Sequence, residues 1–243
     1  MKQVLLLTCI LWATLAISDT HHSDSLFLKA NELYSNQNYA QAIDIYKSIL
    51  DAQLSSFELY YNLANSYFQF GKIPKSILYY EKALCLEPHN TNCLHNLGLA
   101  QQRISIIEPM PTLFYKKWWN AVSSYLSPIK WSVVAIVSVW CTCLLCFSFI
   151  KNRKRWVFST LLTFTFLSVI FITILIDAQQ REKLNYAIVM QDATVSANDK
   201  PNLTVTAGNK VLVKERLNKK SFILLADGQS GWLDNSYYTY IKN

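Results

Sequence analysis

The apolar residues of this chain follow three patterns, which divide it into three parts. Two unbroken apolar runs, residues 131–150 and 156–176, contain no charged residue, and each has about the 20 residues that a helix needs to cross a bilayer. Before them, residue types recur with a long, fixed period. After them, short runs rich in Val, Ile, Thr and aromatic residues alternate with turns. The pattern predicts a multi-domain membrane protein with α-helical repeats, a transmembrane α-hairpin and a small C-terminal β-barrel.

The turn between the two apolar runs predicts their orientation. Four of its five residues, 151–155, are cationic. Short basic loops are retained on the cytoplasmic side of a membrane. The turn is therefore predicted to be cytoplasmic. Both flanking soluble parts, together with a juxtamembrane linker at 177–185, are predicted to lie on the opposite side.

The first residues have the pattern of a secretory signal peptide. Lys2 supplies a positive charge, residues 4–17 form a short apolar region, and Ala16-Ile17-Ser18 provides a cleavage site with small residues. The apolar region is too short for a membrane span and lacks a stop-transfer flank. Residues 1–18 are predicted to be a signal peptide, and an uncleaved anchor is the alternative.

The segment 23–105 repeats with a period of 34 residues. Positions one period apart carry similar residues, as Ala30 and Ala64 do in the first helix of the unit and Tyr46 and Tyr80 do in the second. Small residues allow close helix contact, and large ones fill the layer between stacked units. Two full repeats and a capping helix are predicted. Because such arrays usually need about three units, this one is expected to lean on a partner, a second copy or the membrane-proximal segment.

The second unit resembles a tetratricopeptide repeat. The resemblance rests on the run Tyr61-Asn62-Leu63-Ala64-Asn65-Ser66-Tyr67-Phe68, on Gly71 and on Pro88. It implies a peptide-binding groove on the inner face of the first helices. Packing between helices is the alternative role for the same side chains. The groove residues implied are Phe27, Asn31, Tyr34, Tyr61, Asn65, Phe68 and His95.

Residues 106–130 combine aromatic rings with lysines. Lys116, Lys117, Trp118 and Trp119 form the centre of this segment. Aromatic rings at headgroup depth and cations near phosphate are typical of an interfacial helix. Residues 106–130 are therefore predicted to lie at the membrane surface, and a helix docked on the repeats is the alternative.

Residues 106–155 carry a net charge of +6 out of the +7 of the whole chain. Residues 106–155 contain seven basic and one acidic residue. Arg153, Lys154 and Arg155 of the turn are expected to contact lipid headgroups in the same way as the lysines. No soluble segment carries a basic face, which argues against nucleic acid as a partner.

The C-terminal segment, 186–243, is predicted to contain five strands. They are 186–190, 203–206, 210–214, 221–225 and 231–234. The run Ala226-Asp227-Gly228-Gln229-Ser230-Gly231-Trp232-Leu233 is similar to the turn and Gly-Trp strand of bacterial SH3-like domains, which implies an SH3-like barrel. Trp232 is a candidate surface residue of that barrel, and a packing role for its ring is the alternative.

No pattern typical of catalysis or of cofactor binding is present. Five glycines cannot form a phosphate-binding loop or a dinucleotide fingerprint, and the four histidines form no metal-binding motif. No enzyme activity, cofactor or metal is expected. Cys141, Cys143 and Cys146 lie within a predicted span and are expected to pack there. Whether Cys85 and Cys93 form a disulfide stays open.

The order of the segments resembles the BatE proteins of the Bacteroides aerotolerance operons. The run Pro109-Met110-Pro111 with the Trp118-Trp119 pair adds to this resemblance. It implies a two-pass inner-membrane protein with both termini in the periplasm, acting beside membrane-bound von Willebrand A-type proteins and a MoxR-type ATPase. A noncatalytic scaffold is the expected function. The alternative is a cell-wall sensor, or an auxiliary of a peptidoglycan enzyme, that binds through the SH3-like domain.

Overall fold

The computed structural model describes residues 24–107, 111, 113–152, 155–196 and 203–242. The predicted signal peptide, residues 1–18, lies outside the described residues. Close contacts divide the chain into two compact units. The first combines Met1–Pro109 with Asn185–Asn243, and the second is Met110–Leu184.

The N-terminal part of the first unit is helical. Helix pairs with short turns follow one another, as the 34-residue period predicts. The helices are α1 over the described residues 24–35, α2 (Tyr39–Asp51), α3 (Phe57–Gln69), α4 (Ile73–Leu86) and α5 (Thr91–Gln101).

Local side-chain chemistry sets the helix ends. The Ser56 hydroxyl accepts a hydrogen bond from the backbone N–H of Leu59 at 3.1 Å, which caps α3. The Asn90 side chain caps α5 by accepting from the N–H of Cys93 at 3.1 Å. Gly71, with a φ of +78°, ends α3 in the left-handed conformation that favours glycine. Ser56 and Asn90 lie 34 residues apart at the junctions between repeats, and Gly71 lies in the turn between the two helices of the second repeat.

Small residues at the predicted repeat positions are buried. Ala30, Ala42, Ala64 and Ala83 are completely buried between neighbouring helices. A side chain without bulk at these positions lets the helix backbones approach closely. The large rings of the second helices, such as Tyr46, fill the layer between them.

The C-terminal part of the first unit is an antiparallel sheet with a two-stranded hairpin. The sheet has the order β6-β5-β4-β1-β7, and β2 pairs with β3. The five predicted strands are confirmed within one or two residues; β2 and β7 were not predicted. The strands are β1 (Asn185–Val189), β2 (Ala193–Val195), β3 (Leu203–Val205), β4 (Lys210–Arg216), β5 (Lys220–Leu224), β6 (Ser230–Asp234) and β7 (Tyr238–Tyr240).

The helices and the sheet share a hydrophobic core. Ile77 from α4 and Ala100 from α5 are buried in the same cluster as Ile188 of β1 and Ile241 after β7. A Cβ added to Gly208 would lie 2.5 Å from Cδ1 of Ile104 and 3.2 Å from Cδ1 of Ile77. Glycine permits this close approach without a shift of the Ile104 side chain, and its φ of +93° is a conformation that other residues rarely adopt.

A polar seam runs beside this core. The buried Asn209 side chain donates to the carbonyl of Ser105 at 3.0 Å and accepts from the N–H of Ile107 at 2.8 Å. Lys210 forms an ion pair of 2.7 Å with Glu81 of α4. The short array of helical repeats is therefore stabilised by packing against the C-terminal sheet. Sequence patterns did not predict this support, because it depends on contacts between residues more than a hundred positions apart.

The second unit contains three helices, α6 (Phe114–Ser124), α7 (Pro128–Asn152) and α8 (Arg155–Glu182). Two segments, Pro128–Lys151 and Phe158–Glu182, are long and apolar enough to cross a membrane by length and composition. Helix α8 continues through most of the residues predicted as a linker. Its last turns are stabilised by an ion pair between Asp177 and Arg181, which are one helical turn apart.

Polar contacts connect the helices of this unit. The hydroxyls of Thr142 in α7 and Ser168 in α8 are hydrogen-bonded at 3.0 Å. Trp119 of α6 donates from its indole nitrogen to the Asp177 carboxylate at 3.1 Å. Helix α6 therefore packs on α8 through Trp119.

Candidate protein-binding groove

Three of the residues predicted to line a groove lie around one cavity. The cavity has a volume of about 230 Å³ and lies among α1, α2 and α3. All of its lining side chains are polar or aromatic, and none is charged. They are Asn31, Tyr34, Ser35, Tyr46, Asn62 and Asn65.

A hydrogen-bonded triad joins three of these side chains. The Asn31 Oδ1 atom accepts from the Tyr46 hydroxyl at 2.5 Å and from Nδ2 of Asn62 at 3.0 Å. The three residues belong to α1, α2 and α3. The triad therefore fixes the first repeat to the first helix of the second.

The same triad recurs one repeat later. Oδ1 of Asn65 accepts from the Tyr80 hydroxyl at 2.6 Å and from Nδ2 of Asn96 at 3.1 Å. Each member follows its counterpart by 34 residues. Asn96 also donates to the Tyr61 hydroxyl at 2.9 Å. The polar side of the array is thus a repeated structure with one triad for each repeat.

The triads determine which hydrogen-bonding groups stay available. An amide oxygen has two lone pairs, and both are used at Asn31 and at Asn65. Their Nδ2 groups carry two N–H donors each, and within the described part of the chain these donors have no partner. Both side chains are partly exposed. The cavity therefore offers donors to a ligand.

Burial of the tyrosines makes the triads sensitive to alkali. Burial raises the pKa of Tyr46 to about 12, and it also raises the pKa of Tyr80 above its ordinary value. Tyr67, which packs in the core next to Tyr79, likewise has a pKa raised by burial to about 12. At a pH just above 10, tyrosines of the unfolded chain lose their protons, whereas these three hydroxyls stay protonated in the folded chain.

We expect the stability of the first unit to fall above pH 10. Between pH 10 and 12 the unfolded chain binds fewer protons than the folded chain, so each of Tyr46 and Tyr67 reduces the free energy of unfolding by about 1 kcal/mol per pH unit. Below pH 10 this contribution is complete and constant. Thermal unfolding followed by circular dichroism in detergent micelles, from pH 8 to 11.5, measures the effect. If Tyr46→Phe does not reduce the slope of stability against pH above pH 10, the prediction is wrong.

Tyr61 and Phe68, also predicted to line the groove, pack against other side chains. The Tyr61 ring stacks on Phe57 with 5.7 Å between ring centroids. Phe68 is partly buried beneath the guanidinium group of Arg103, which lies 5.5 Å from its centroid. Tyr61 is linked to the second triad by Asn96, whereas Phe68 contributes to the core beside it.

Phe27 and His95 do not line this cavity. Phe27 lies 5.9 Å from the Tyr46 ring and lines a separate cavity of about 340 Å³ near the start of α3. His95 is exposed on α5. The structure therefore gathers Asn31, Tyr34 and Asn65 into one site, and the other predicted residues do not line it.

Sequence reasoning did not predict that four members of the two triads line the groove. Tyr46 and Tyr80 were expected only to fill the layer between helices, and Asn96 was given no role. Asn62 was considered only because Asn31 and Asn62 resemble the asparagines that bind a terminal carboxylate in some tetratricopeptide repeats. The signal that could have found them is the period itself, since asparagine recurs at 62 and 96 as it does at 31 and 65. A polar residue that repeats inside an apolar layer needs partners that repeat with it.

The sheet carries a second concave site. A cleft of about 370 Å³ contains the partly exposed Trp232 ring, with Tyr237 and the side chains of Asp192, Lys220 and Asp234. Trp232 lies on the outer face of β6 and meets Phe222 of β5 edge to face at 5.4 Å. Its ring therefore both packs against a neighbour and lines the cleft.

The structure describes five of the seven residues that were predicted to contact lipid. Lys116, Lys117 and Trp118 are exposed on α6. Trp119 is partly buried and bonded to Asp177, so its ring serves helix packing. Arg153 and Lys154 lie outside the described residues. Arg155 is the first residue of α8.

The described cysteines and acidic side chains form no metal site. Among the described residues, no group of three or more His, Cys, Asp and Glu side chains is placed to hold a metal ion. Cys85 and Cys93 are free thiols, and the buried Cys93 donates to the carbonyl of Tyr80 at 3.6 Å. Cys141, Cys143 and Cys146 are also free thiols and lie in α7.

Comparison with known proteins agrees with the helical geometry. The tetratricopeptide repeat family matches residues 57–90, which comprise α3, α4 and the following turn. Residues of this chain are also 30% identical over 87 positions to sperm-associated antigen 1 of Mus musculus. The aligned part is 36% of this chain and 10% of that protein. The chain therefore contains a tetratricopeptide repeat, a module that serves protein–protein interaction, and it spans about a tenth of this relative's length.

Proposed function

We propose that this protein is a noncatalytic membrane scaffold whose repeats bind a segment of a partner protein. The observation that carries the proposal is the uncharged cavity with its repeated Asn-Tyr-Asn triads. A concave site of fixed geometry, in which N–H groups are free to donate hydrogen bonds to a ligand, suits the recognition of a peptide. The triads leave little freedom to the side chains, so a ligand meets a preorganised surface.

The two soluble segments are proposed to lie on one side of a membrane. They pack together in one unit although the hairpin separates them in the sequence. Two spans between them return the chain to the side from which it entered. Together with the basic turn, this supports a two-pass protein of a bacterial inner membrane with both soluble segments in the periplasm.

The partners that we propose follow from the segment order. The order resembles that of BatE proteins, so the partners would be membrane-bound von Willebrand A-type proteins, in a complex that also uses a MoxR-type ATPase. The exposed lysines and Trp118 of α6 support a position of that helix at the lipid headgroups. The sheet, proposed to be SH3-like, supports the repeats through the shared core.

Crosslinking in native membranes tests this function. A tag at Asn243 allows the recovery of partners for mass spectrometry and a protease test of topology. Ser35→Trp places a bulky ring in the cavity, and Ser48→Trp is its matched control. Both serines are exposed and donate to a carbonyl of their own helix, at 3.0 and 2.7 Å, but only Ser35 lines the cavity.

We expect Ser35→Trp to reduce the recovery of the partner about tenfold, the effect of losing ~1.4 kcal/mol of binding energy. Ser48→Trp leaves recovery unchanged, and both variants reach the abundance of the unaltered protein. Equal recovery with both variants would contradict groove binding. A tag protected from external protease in intact cells with a permeabilised outer membrane would contradict the topology.

The cleft beside Trp232 favours one other function, the binding of cell-wall peptidoglycan. An aromatic ring beside carboxylates and a lysine can stack on a sugar or hold a charged peptide. Retention of the full chain on peptidoglycan at high salt, lost with Trp232→Ala, would support this function. The full chain is the appropriate probe, because the sheet packs on the repeats. If Trp232→Ala leaves the retention unchanged, the cleft is not the binding site for peptidoglycan.

A further inference from the structure

We infer that helix α6 binds the phosphate groups of acidic phospholipids through Lys116 and Lys117, and that a hydrogen bond from Trp119 to Asp177 positions the helix for this contact. The inference rests on the proposed position of α6 at the lipid headgroups. It adds the class of lipid that the helix recognises and the contact that orients it.

The first step concerns the attachment of α6 to α8. The indole nitrogen of Trp119 donates to the Asp177 carboxylate at 3.1 Å, and Nη1 of Arg181 donates to the backbone carbonyl of Asn120 at 3.3 Å. Asp177 and Arg181 also form an ion pair with each other. Because neighbouring residues of α6 are bonded to residues one turn apart on α8, the rotation of α6 about its own axis is fixed.

The second step concerns the position of α6 along the hairpin. The Val122 side chain of α6 packs against a cluster that contains Trp131, in the first turn of α7, and Ala178, near the end of α8. The candidate spans begin at Pro128 and end at Glu182. A hairpin brings the start of its first helix next to the end of its second, so α6 lies at the open end of the hairpin. Lipid headgroups surround a membrane-spanning helix at this level.

The third step concerns the faces of α6. Successive residues of an α-helix are about 100° apart around its axis. With Trp119 turned towards α8, Phe114 and Trp118 share one flank of the helix. Lys116 lies on the other flank, and Lys117 lies opposite Trp119. Phe114 is 85% exposed and Trp118 is 63% exposed, and both lysines are exposed. The aromatic flank can therefore enter the headgroup layer while the lysines reach phosphate.

The fourth step concerns charge. Helix α6 contains two lysines and no acidic residue, and Lys130 is exposed in the first turn of α7. The described acidic side chains at this end of the hairpin are balanced. Asp177 pairs with Arg181, and the exposed Glu182 is followed by the exposed Lys183. The excess of positive charge favours an anionic ligand. A free phosphate ion would leave the exposed aromatic rings uncovered, whereas a phospholipid contacts both the rings and the lysines.

Native mass spectrometry of the full chain in detergent tests the inference. Phosphatidylglycerol and phosphatidylcholine with the same acyl chains are added in equal amounts, and the ratio of the two lipids bound to the protein is measured. The test variant combines Lys116→Gln with Lys117→Gln. The matched control combines Lys29→Gln with Lys47→Gln, which removes the same charge from exposed positions on α1 and α2.

We expect the unaltered chain to prefer phosphatidylglycerol, and the test variant to lower the bound ratio at least about fivefold. The control variant leaves the ratio unchanged. Trp119→Phe keeps an aromatic ring but removes the N–H donor, so it lowers the ratio roughly twofold although both lysines are present. The amount of bound phosphatidylcholine stays the same in all variants.

A ratio that the test variant leaves unchanged, or that the control variant lowers equally, would overturn the inference. Displacement of phosphatidylglycerol by an equal concentration of glycerol phosphate, which has no acyl chains, would indicate a site for free anions and would also overturn it. An unchanged ratio in Trp119→Phe would overturn the positioning role of Trp119. Partner recovery and the protease test of the tag at Asn243 decide the proposed function separately, so the two failures can be distinguished.

Discussion

A chain that ends after Leu184 will lose the fold of its helical repeats. This truncation removes Ile188 and Ile241, which are buried against Ile77 and Ala100. Each fully buried isoleucine contributes about 2 kcal/mol, and the apolar surface that it covered becomes exposed to water. Since a domain of this size is stable by roughly 5–15 kcal/mol, the loss approaches the whole stability of the array.

Hydrogen exchange of purified protein in detergent measures this loss. We expect amides of α4 and α5 to be protected in the full chain and to exchange rapidly in the truncated chain. The matched control joins residues 24–107 to 185–242 through a flexible Gly/Ser linker in place of the hairpin. This control should recover the protection, because it restores the shared core without the membrane helices. Full protection in the truncated chain would show that the repeats fold without the sheet.

The second large effect is expected for Asn209→Ala. The Asn209 side chain is buried, and it donates to Ser105 and Thr206 and accepts from Ile107. Its removal leaves the N–H of Ile107 without this partner and opens a cavity, whereas the Ser105 carbonyl keeps its hydrogen bond from the Thr206 hydroxyl at 2.7 Å. Each lost hydrogen bond costs about 1 kcal/mol, so we expect the free energy of unfolding to fall by about 3 kcal/mol for the three bonds together.

Denaturant unfolding of Asn209→Ala and of Asn218→Ala provides the comparison. Asn218 is exposed in the turn between β4 and β5, so its substitution should change the free energy of unfolding by less than about 0.5 kcal/mol. A loss below that value for Asn209→Ala would mean that the polar seam does not hold the sheet to the repeats.

Much of the local structure could be predicted because local patterns carry it. The 34-residue period predicts the helix pairs, and short runs such as 210–214 predict the strands. The edge strand β7 (Tyr238–Tyr240) was missed. It follows the 3-10 turn Asn235–Tyr237 directly and has only three residues, which is too short to show the alternation that marks a strand. Helix α8 was predicted too short because Asp177 and Arg181 interrupt the apolar run, although their ion pair stabilises the helix.

The contacts between distant segments could not be predicted. Nothing in the run around Gly208 indicates that its φ of +93° brings it against Ile104 and Ile77. The same limit applies to the site. Asn31 and Asn65 were predicted to face a groove, but the orientation of their amides follows from Tyr46 and Tyr80, which belong to the next helix. The role of each asparagine in the site therefore depends on the tyrosine that the fold brings next to it.

We propose that the segments before and after the hairpin form one unit on one side of the membrane. Crosslinking of the pair Glu81→Cys and Lys210→Cys tests it, since the native side chains meet at 2.7 Å. The measurement uses a short bismaleimide in native membranes, with the exposed Cys85 replaced by Ser. We expect both cysteines to react with a membrane-impermeant maleimide from the same side and mass spectrometry to find them joined. Labelling from opposite sides, or accessible cysteines that do not crosslink, would contradict it.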